Sequence, residues 1–344
     1  MRILLIGATG FIGSQVLREL AGLGHEICVF HRGITRPPIA VDEIIGDRND
    51  LPSRAGEFRQ FRPDAVVDFV LSDGKQARQL VEVFRGVTAR MVAISSGDVY
   101  RAAGILHGAE QGPLQPVPLT EESDLRTVSK FYPPENIAQL KALFPWVTPD
   151  YDKIAVERAV MGNSDLPGTV LRLPMVYGPR DPLHRLFPYL KRMDDRRAAI
   201  LLQDDIAAWR GSRGYVKNVA AAIALATISD RAAGRIYNVA DRETLCEADW
   251  VRKIGSIAHW NGAVIPLSKD TIPPHLRMPS RNEQHWEMSS TRIRKELGFQ
   301  EPVEFTTALE RTIAWEHAHP PDPIDPKQLD YAAEDAALRG AAAP

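Results

Sequence analysis

The segment Gly7-Ala8-Thr9-Gly10-Phe11-Ile12-Gly13 constrains this chain more than any other. It follows the apolar run Ile3-Leu4-Leu5-Ile6 directly and leads into an amphipathic stretch, Ser14 to Leu23. Strand, glycine turn and helix in that order predict a dinucleotide-binding crossover. The first glycine permits the tight turn, and the second lets backbone N–H groups approach a pyrophosphate. The third lets the helix pack on the strand while its N-terminus faces the anion. Gly7, Thr9, Gly10, Phe11, Ile12 and Gly13 are the first candidate cofactor residues.

Beyond this crossover, apolar runs alternate with helical patterns. Ile27–Phe30, Glu43–Ile45, Ala65–Val70 and Met91–Ser95 read as parallel strands, separated by helical stretches such as 51–61 and 75–85. The alternation predicts an α/β fold: a doubly wound parallel sheet with a smaller C-terminal substrate lobe, and ligands at the carboxyl ends of the strands. The predicted division is a dinucleotide-binding domain at 1–175, a substrate lobe at 176–318 interleaved with it, and a flexible tail or extended arm at 319–344. Residues 101–149 interrupt the rhythm with a proline-rich insertion, read either as a lid over the substrate or as a solvated loop.

A formal net charge of −2 gives no electrostatic case for nucleic acid or an anionic membrane surface, so neither is an expected partner. Cys28 and Cys246 lie far apart, without metal-ligand spacing, and His107, His184, His275 and His285 are equally scattered. No metal site is predicted, and a reduced, cytoplasmic setting fits best. Met1 leads straight into the first strand, which predicts no cleaved signal peptide.

The end of the second strand bears on the coenzyme. An acidic residue about 20 positions past the glycines would bind the ribose hydroxyls of NAD and repel the extra phosphate of NADP. This strand ends Val29-Phe30-His31-Arg32 instead. A guanidinium pairs with phosphate through parallel hydrogen bonds, so NADP is the expected cofactor, with NAD as the alternative. Arg32 is the main phosphate ligand in this reading, with His31 and Arg36 as helpers. Asp47 either accepts from an adenine amino group or caps the next helix, and Arg48 beside it is a further candidate cofactor residue. Phe69 and Val70 are placed along the cofactor through their backbone groups.

With Ser95-Ser96-Gly97-Asp98-Val99-Tyr100, Lys153 with Glu157, Leu171-Arg172, Val176-Tyr177-Gly178-Pro179, Arg213-Gly214-Tyr215-Val216 and Tyr237-Asn238-Val239 added to the glycine turn, the chain resembles the extended, atypical short-chain dehydrogenase/reductase family of the epimerase/dehydratase type. The resemblance runs to about His317. It implies a serine that hydrogen-bonds the reacting oxygen, a tyrosine that exchanges its proton, and a lysine that holds the nicotinamide ribose and lowers the tyrosine pKa. Ser96 and Lys153 match, and Pro174 falls on the cofactor-binding side of the pattern.

The tyrosine does not match. Its position, four residues before the lysine, holds Pro149. Tyr151 lies only two residues before Lys153, about 200° around an ideal helix, and reaches the site only if the chain there is not yet helical. Tyr151 is the candidate acid/base, and Tyr100, Tyr132 and Asp98 are fallback donors. The family's diphosphate-holding asparagine is replaced by Met175, which leaves Arg213 as a single guanidinium anchor; with Trp209 this favours a more apolar ligand than a nucleotide sugar. Asp98, Met175 and Arg213 are the candidate substrate residues.

The main expectation is therefore an NADP(H)-dependent oxidoreductase or epimerase acting on a small-molecule carbonyl or alcohol. Pro149 motivates the alternative, a cofactor-binding sensor or structural protein without redox turnover. Family members commonly pair through two helices, one matching 151–161. Ile154, Ala155 and Ala159 would suit that contact, so a homodimer is expected.

Overall fold

The protein is described here from a computed structural model covering residues 1–278 and 280–341. Its strands are β1 (Arg2–Ile6), β2 (Glu26–His31), β3 (Asp42–Ile45), β4 (Ala65–Asp68), β5 (Arg90–Ser96), β6 (Gly168–Leu173), β7 (Met175–Tyr177), β8 (Ala199–Gln203), β9 (Arg213–Tyr215), β10 (Ile236–Asn238) and β11 (Ala263–Leu267). Seven of them form one parallel sheet in the order β10-β6-β5-β4-β1-β2-β3.

The unbroken apolar run of β1 follows from this topology, because a central parallel strand is covered on both faces. Ile3 and Leu5 face the layer beneath helices Phe11–Gly22 and Val216–Ile228. Leu4 and Ile6 face the layer beneath helices Ala55–Phe61, Gly74–Phe84 and Lys153–Met161. Each such side chain, fully buried, is worth roughly 1.5–3 kcal/mol. The register pairs Ile6 with Phe30 on one side and with Asp68 on the other, and Ser95 with Arg172 further along. The carboxyl ends of β2, β1, β4, β5 and β6 therefore line one edge, and the chain order reverses between β1 and β4. That reversal opens a crevice at the sheet's switch point.

β7 pairs with β9 and β8 with β11 as two small sheets of the second half. The region 101–149 holds two helices, Arg101–Leu106 and Pro134–Leu143. It is fastened from within: the buried Glu110 carboxylate accepts from the backbone N–H groups of Thr127 and Val128 and from the Thr127 hydroxyl. Its last residues, 141–149, lie along the crevice.

The expectation of a flexible tail at 319–344 needs correcting. Residues Tyr331–Ala341 form a helix, and its Glu334 is fully buried against Arg192 and His275. Apolar and charged residues in this stretch are spaced for one helical face, a period hidden by the surrounding alanines; residues 342–344 lie outside the described ones. No helix among the described residues is long and apolar enough to cross a membrane, and no group of three or more metal-ligating side chains occurs among them. Cys28 is buried in β2, where burial and nearby carboxylates push its thiol up to about 12.

Candidate active site

The crevice encloses about 670 Å³ and is floored by the glycine turn. Gly7 has φ +77°, and a Cβ there would stand 2.5 Å from Val70 Cγ1. A Cβ on Gly13 would lie 2.6 Å from the Ala8 backbone, so the helix sits as close to the strand as it does only because that atom is missing. Gly10 is different: nothing lies within 4 Å of where its Cβ would be, and the turn is open to the crevice. Helix Phe11–Gly22 starts at Gly10 with no side-chain cap and no acidic residue in its first turn, leaving its N–H groups and positive dipole end available to an anion. Thr9, Phe11 and Ile12 complete this wall.

Near the end of β2 the structure sorts the candidate phosphate ligands. Arg32 is exposed, lines the crevice and makes no hydrogen bond or ion pair with the described residues. Arg36 is exposed but is not part of the crevice wall. His31 lines the wall, but its ring is engaged on both sides, by Glu43 at 2.7 Å and by the Gly33 N–H at 3.2 Å. Arg48 is likewise committed. Its Nε donates to Asp68 at 2.7 Å and its other nitrogens to Gln79 and the Gln76 carbonyl, so it locks β4 rather than offering a free cation. Asp47 accepts from the Asn49 N–H as the cap of a short 3-10 turn while also lining the crevice. Phe69 and Val70 form the opposite wall. Sequence reasoning missed Lys141 and Arg180, which also reach this crevice. Lys141 comes from the insertion, and no local pattern announces it.

At the carboxyl end of β5 the side chains are bonded to one another. Helix Lys153–Met161 begins at an Asp152 cap, so residues 149–151 precede it as a turn, with the Tyr151 N–H bonded to the Thr148 carbonyl. The geometry that an ideal helix would forbid is thereby obtained: the Tyr151 ring lies 5.8 Å from Lys153 Nζ. Lys153 is buried, donates to the carbonyls of Leu71 at 2.5 Å and Ile94 at 2.9 Å, and burial pulls its ammonium down to about 8. The indole of Trp146 covers Nζ at 4.9 Å. Thr148 roots this strap on Ser72 and Asp73. Ser96 is partly exposed and its Oγ accepts from the Asp98 N–H at 3.2 Å. Asp98 is 2 % exposed, and burial raises its carboxyl above the usual range. It accepts from the Tyr151 hydroxyl at 2.8 Å and from the Tyr132 hydroxyl at 3.5 Å.

Other candidates belong to the framework. Tyr100 is fully buried between Asn238 at 2.7 Å and Arg172 at 3.0 Å, so it has no path to a ligand. Arg172 in turn forms a two-pronged pair with Glu157, which also takes the Ser95 hydroxyl at 2.6 Å. Arg213 is committed to Glu247 and lies 4.4 Å above the Trp250 ring, which removes it as a free diphosphate anchor. Met175 and Trp209 pack together over Gly211, while Pro174 packs against Gly214 and is not part of the crevice wall.

The sequence pattern of the NAD dependent epimerase/dehydratase family matches residues 3–240. Among characterised relatives, a dTDP-glucose 4,6-dehydratase of Streptomyces griseus is 25% identical, covering 92% of this chain and 94% of that protein. A 3-diazoavenalumate denitrifying reductase of a Streptomyces species is also 25% identical, over 73% of this chain and 79% of the relative. The Bordetella bronchiseptica enzyme WbmG, solved in complex with NAD, superposes with a TM-score of 0.67 at 18% identity, covering 93% of this chain and 94% of that one.

Proposed function

The chain belongs to the NAD dependent epimerase/dehydratase family and is an NAD(P)-dependent oxidoreductase or epimerase; we propose that it prefers NADP(H) and acts on a small-molecule alcohol or carbonyl rather than a nucleotide sugar. The observation that carries this reading is that Tyr151 comes up to Lys153 and, through Asp98, is linked to Ser96 in spite of Pro149, while Trp146, which covers Lys153, lines the glycine-floored crevice.

The residues present suit the coenzyme. The open turn at Gly10 and the uncapped helix would take the pyrophosphate, and the unpaired Arg32 would take the additional phosphate. Lys153 would exchange its carbonyl partners for ribose hydroxyls. When bound, the nicotinamide supplies or accepts a hydride. Ser96 would then hydrogen-bond the reacting oxygen and Tyr151 would exchange its proton, a reading supported by the turn at 149–151 that brings Tyr151 beside Lys153 and Asp98. Trp146 would exclude water from the same spot. The commitment of Arg213 to Glu247, and an apolar Met175 where the nucleotide-sugar pattern has an asparagine, favour a ligand without a diphosphate.

The test is a fluorescence titration with NADPH and NADH, followed by turnover across carbonyl compounds and, separately, UDP- and dTDP-sugars. NADPH should bind at least about tenfold tighter than NADH, in keeping with one added charge-assisted phosphate contact. Turnover confined to nucleotide sugars would overturn the substrate assignment, and equal affinities would overturn the coenzyme preference.

A homodimer through helices Gly74–Phe84 and Lys153–Met161 is part of the proposal, with one correction. Ile154 is buried inside the protomer and Ala155 sits under Gly74, so the exposed Arg158, Lys75, Arg78 and Glu82 would form the contact instead. Sedimentation equilibrium decides this.

A further inference from the structure

Asp98 is held differently from the buried acids that a guanidinium neutralises. Asp68 and Glu157 are each neutralised by a guanidinium at 2.7 Å. Asp98 has no such partner at its carboxylate. Two phenols meet at Oδ2, Tyr151 at 2.8 Å and Tyr132 at 3.5 Å, while Oδ1 is buried with no hydrogen-bond partner among the described residues. A buried polar atom left unsatisfied costs about 1–3 kcal/mol, more when charged, so a carboxylate in this position calls for a functional explanation.

Tyr132 comes from the insertion, and its place is built. The Arg126 guanidinium lies 4.3 Å over the Phe131 ring and donates to the carbonyls of Asp98, Val128 and Ser129. Phe131 stacks on Tyr132 with centroids 3.9 Å apart, and the exposed His107 ring packs on Tyr132 at 5.6 Å. The two tyrosine rings themselves are 6.1 Å apart. In order of contact the groups run Tyr151, Asp98, Tyr132 and His107; Asp98 is the most buried of them and His107 is exposed.

We propose that Tyr151, Asp98 and Tyr132 form a proton relay that connects the reacting oxygen to the surface, with Asp98 as the acceptor and Tyr132 as the outer station. This rests on the reading of Tyr151 as the acid/base. In the oxidising direction the substrate hydroxyl proton passes to the Tyr151 oxygen as the Tyr151 proton passes to Asp98 Oδ2. A bound nicotinamide would accept the hydride from the carbon as the carbonyl forms. The carboxylate becomes a carboxylic acid, and the Tyr132 hydroxyl then carries its proton outward towards water near His107. Reduction runs the same transfers backwards. Asp98 and Tyr132 act through Tyr151 and are positioning residues.

The charged and titratable groups facing Asp98 are Arg126 and Lys153, which favour its anion, Glu157, which opposes it, and the two phenols, with His107 further out. Burial outweighs the cations, so the carboxyl titrates above the ordinary aspartate range. Oxidation needs the anion and should therefore fall as pH drops through that raised value.

The experiment compares the full-length protein with Tyr132→Phe and Asp98→Asn, checked by circular dichroism. In the absence of substrate, near-ultraviolet tyrosinate titration reads the coupling alone. Burial holds every tyrosine of the protein above its ordinary range, so the readout is the difference between wild type and Asp98→Asn, in which two phenols should ionise at lower pH because their anionic neighbour is gone. Unchanged titration in Asp98→Asn overturns the relay whether or not a substrate has been found. With a compound from the carbonyl panel, Tyr132→Phe should lose about tenfold in kcat with KM unchanged, and added imidazole should restore it. Asp98→Asn should lose about a hundredfold and the acid limb of its pH profile, within the range of one proton-transfer group. Wild-type kcat in Tyr132→Phe, or a loss that imidazole leaves untouched, overturns the proposal.

Discussion

The glycine-floored crevice and the side-chain cluster at the end of β5 are made differently. Beside β1 and β2 the walls are a bare backbone turn, an uncapped helix end and the unpaired cation Arg32, so the surface waits for a ligand to complete it. At the end of β5 the polar groups are already bonded: Tyr151 to Asp98, and Lys153 to two carbonyls. The first suits a constant ligand recognised by dipoles and charge. In the second, the proposed chemistry would depend on a side-chain network that a substrate must enter and partly exchange. Conserving the geometry of a turn takes only glycines, whereas re-siting a phenol takes a turn, a cap and an insertion.

That contrast can be broken or sharpened by substitution. The largest effect is expected from Gly13→Val, whose Cβ would meet the Ala8 backbone at 2.6 Å. Calorimetry should show NADPH affinity reduced by more than about a hundredfold, together with about 1–3 kcal/mol of lost stability from overpacking. Arg32→Ser comes next: about 10- to 100-fold weaker NADPH binding with NADH binding unchanged, one charge-assisted contact being worth roughly 1.5–3 kcal/mol. A parallel loss for both coenzymes would move Arg32 out of the phosphate role.

Arg213→Ala should act on the framework instead. Chemical denaturation should report about 1.5–3 kcal/mol of lost stability, while KM in a working assay stays within roughly threefold of wild type. A tenfold rise in KM would make Arg213 a ligand-binding residue after all. A pH series probes Lys153. Its ammonium is pulled down to about 8 by burial, so the charged form is lost as pH rises through that value, and NADPH affinity should decline by less than about tenfold between pH 7 and pH 9. The smallest effect is expected from Asp47→Ala, about 1 kcal/mol of stability for a lost cap and little change in binding.

The features legible in the sequence are those that local patterns encode. The glycine turn and the alternation of strands and helices could be read because each depends on spacing along a few residues, and the same kind of spacing nominated Ser96 and Lys153. The sequence also showed that Pro149 displaces the usual tyrosine, and the short turn before Asp152 explains how Tyr151 still meets Lys153. What could not be read depends on pairing at long range. Whether a guanidinium is free is decided by a partner elsewhere in the chain, which separates exposed Arg32 from Arg48, held by Asp68, and Arg213, held by Glu247. Lys141, Trp146 and Tyr132 reach the site only because the insertion folds back over the sheet edge.

The docked terminal helix sets a practical boundary for work on this molecule. Arg192, almost wholly out of contact with solvent, is neutralised by Glu334, and Tyr331 spreads over Arg197. A shortened gene product stopping near 318, where the family-like pattern fades, would leave that guanidinium stranded beneath helix Phe187–Asp194 without its counter-charge. Cutting into 331–341 would remove part of the folded body rather than spare chain.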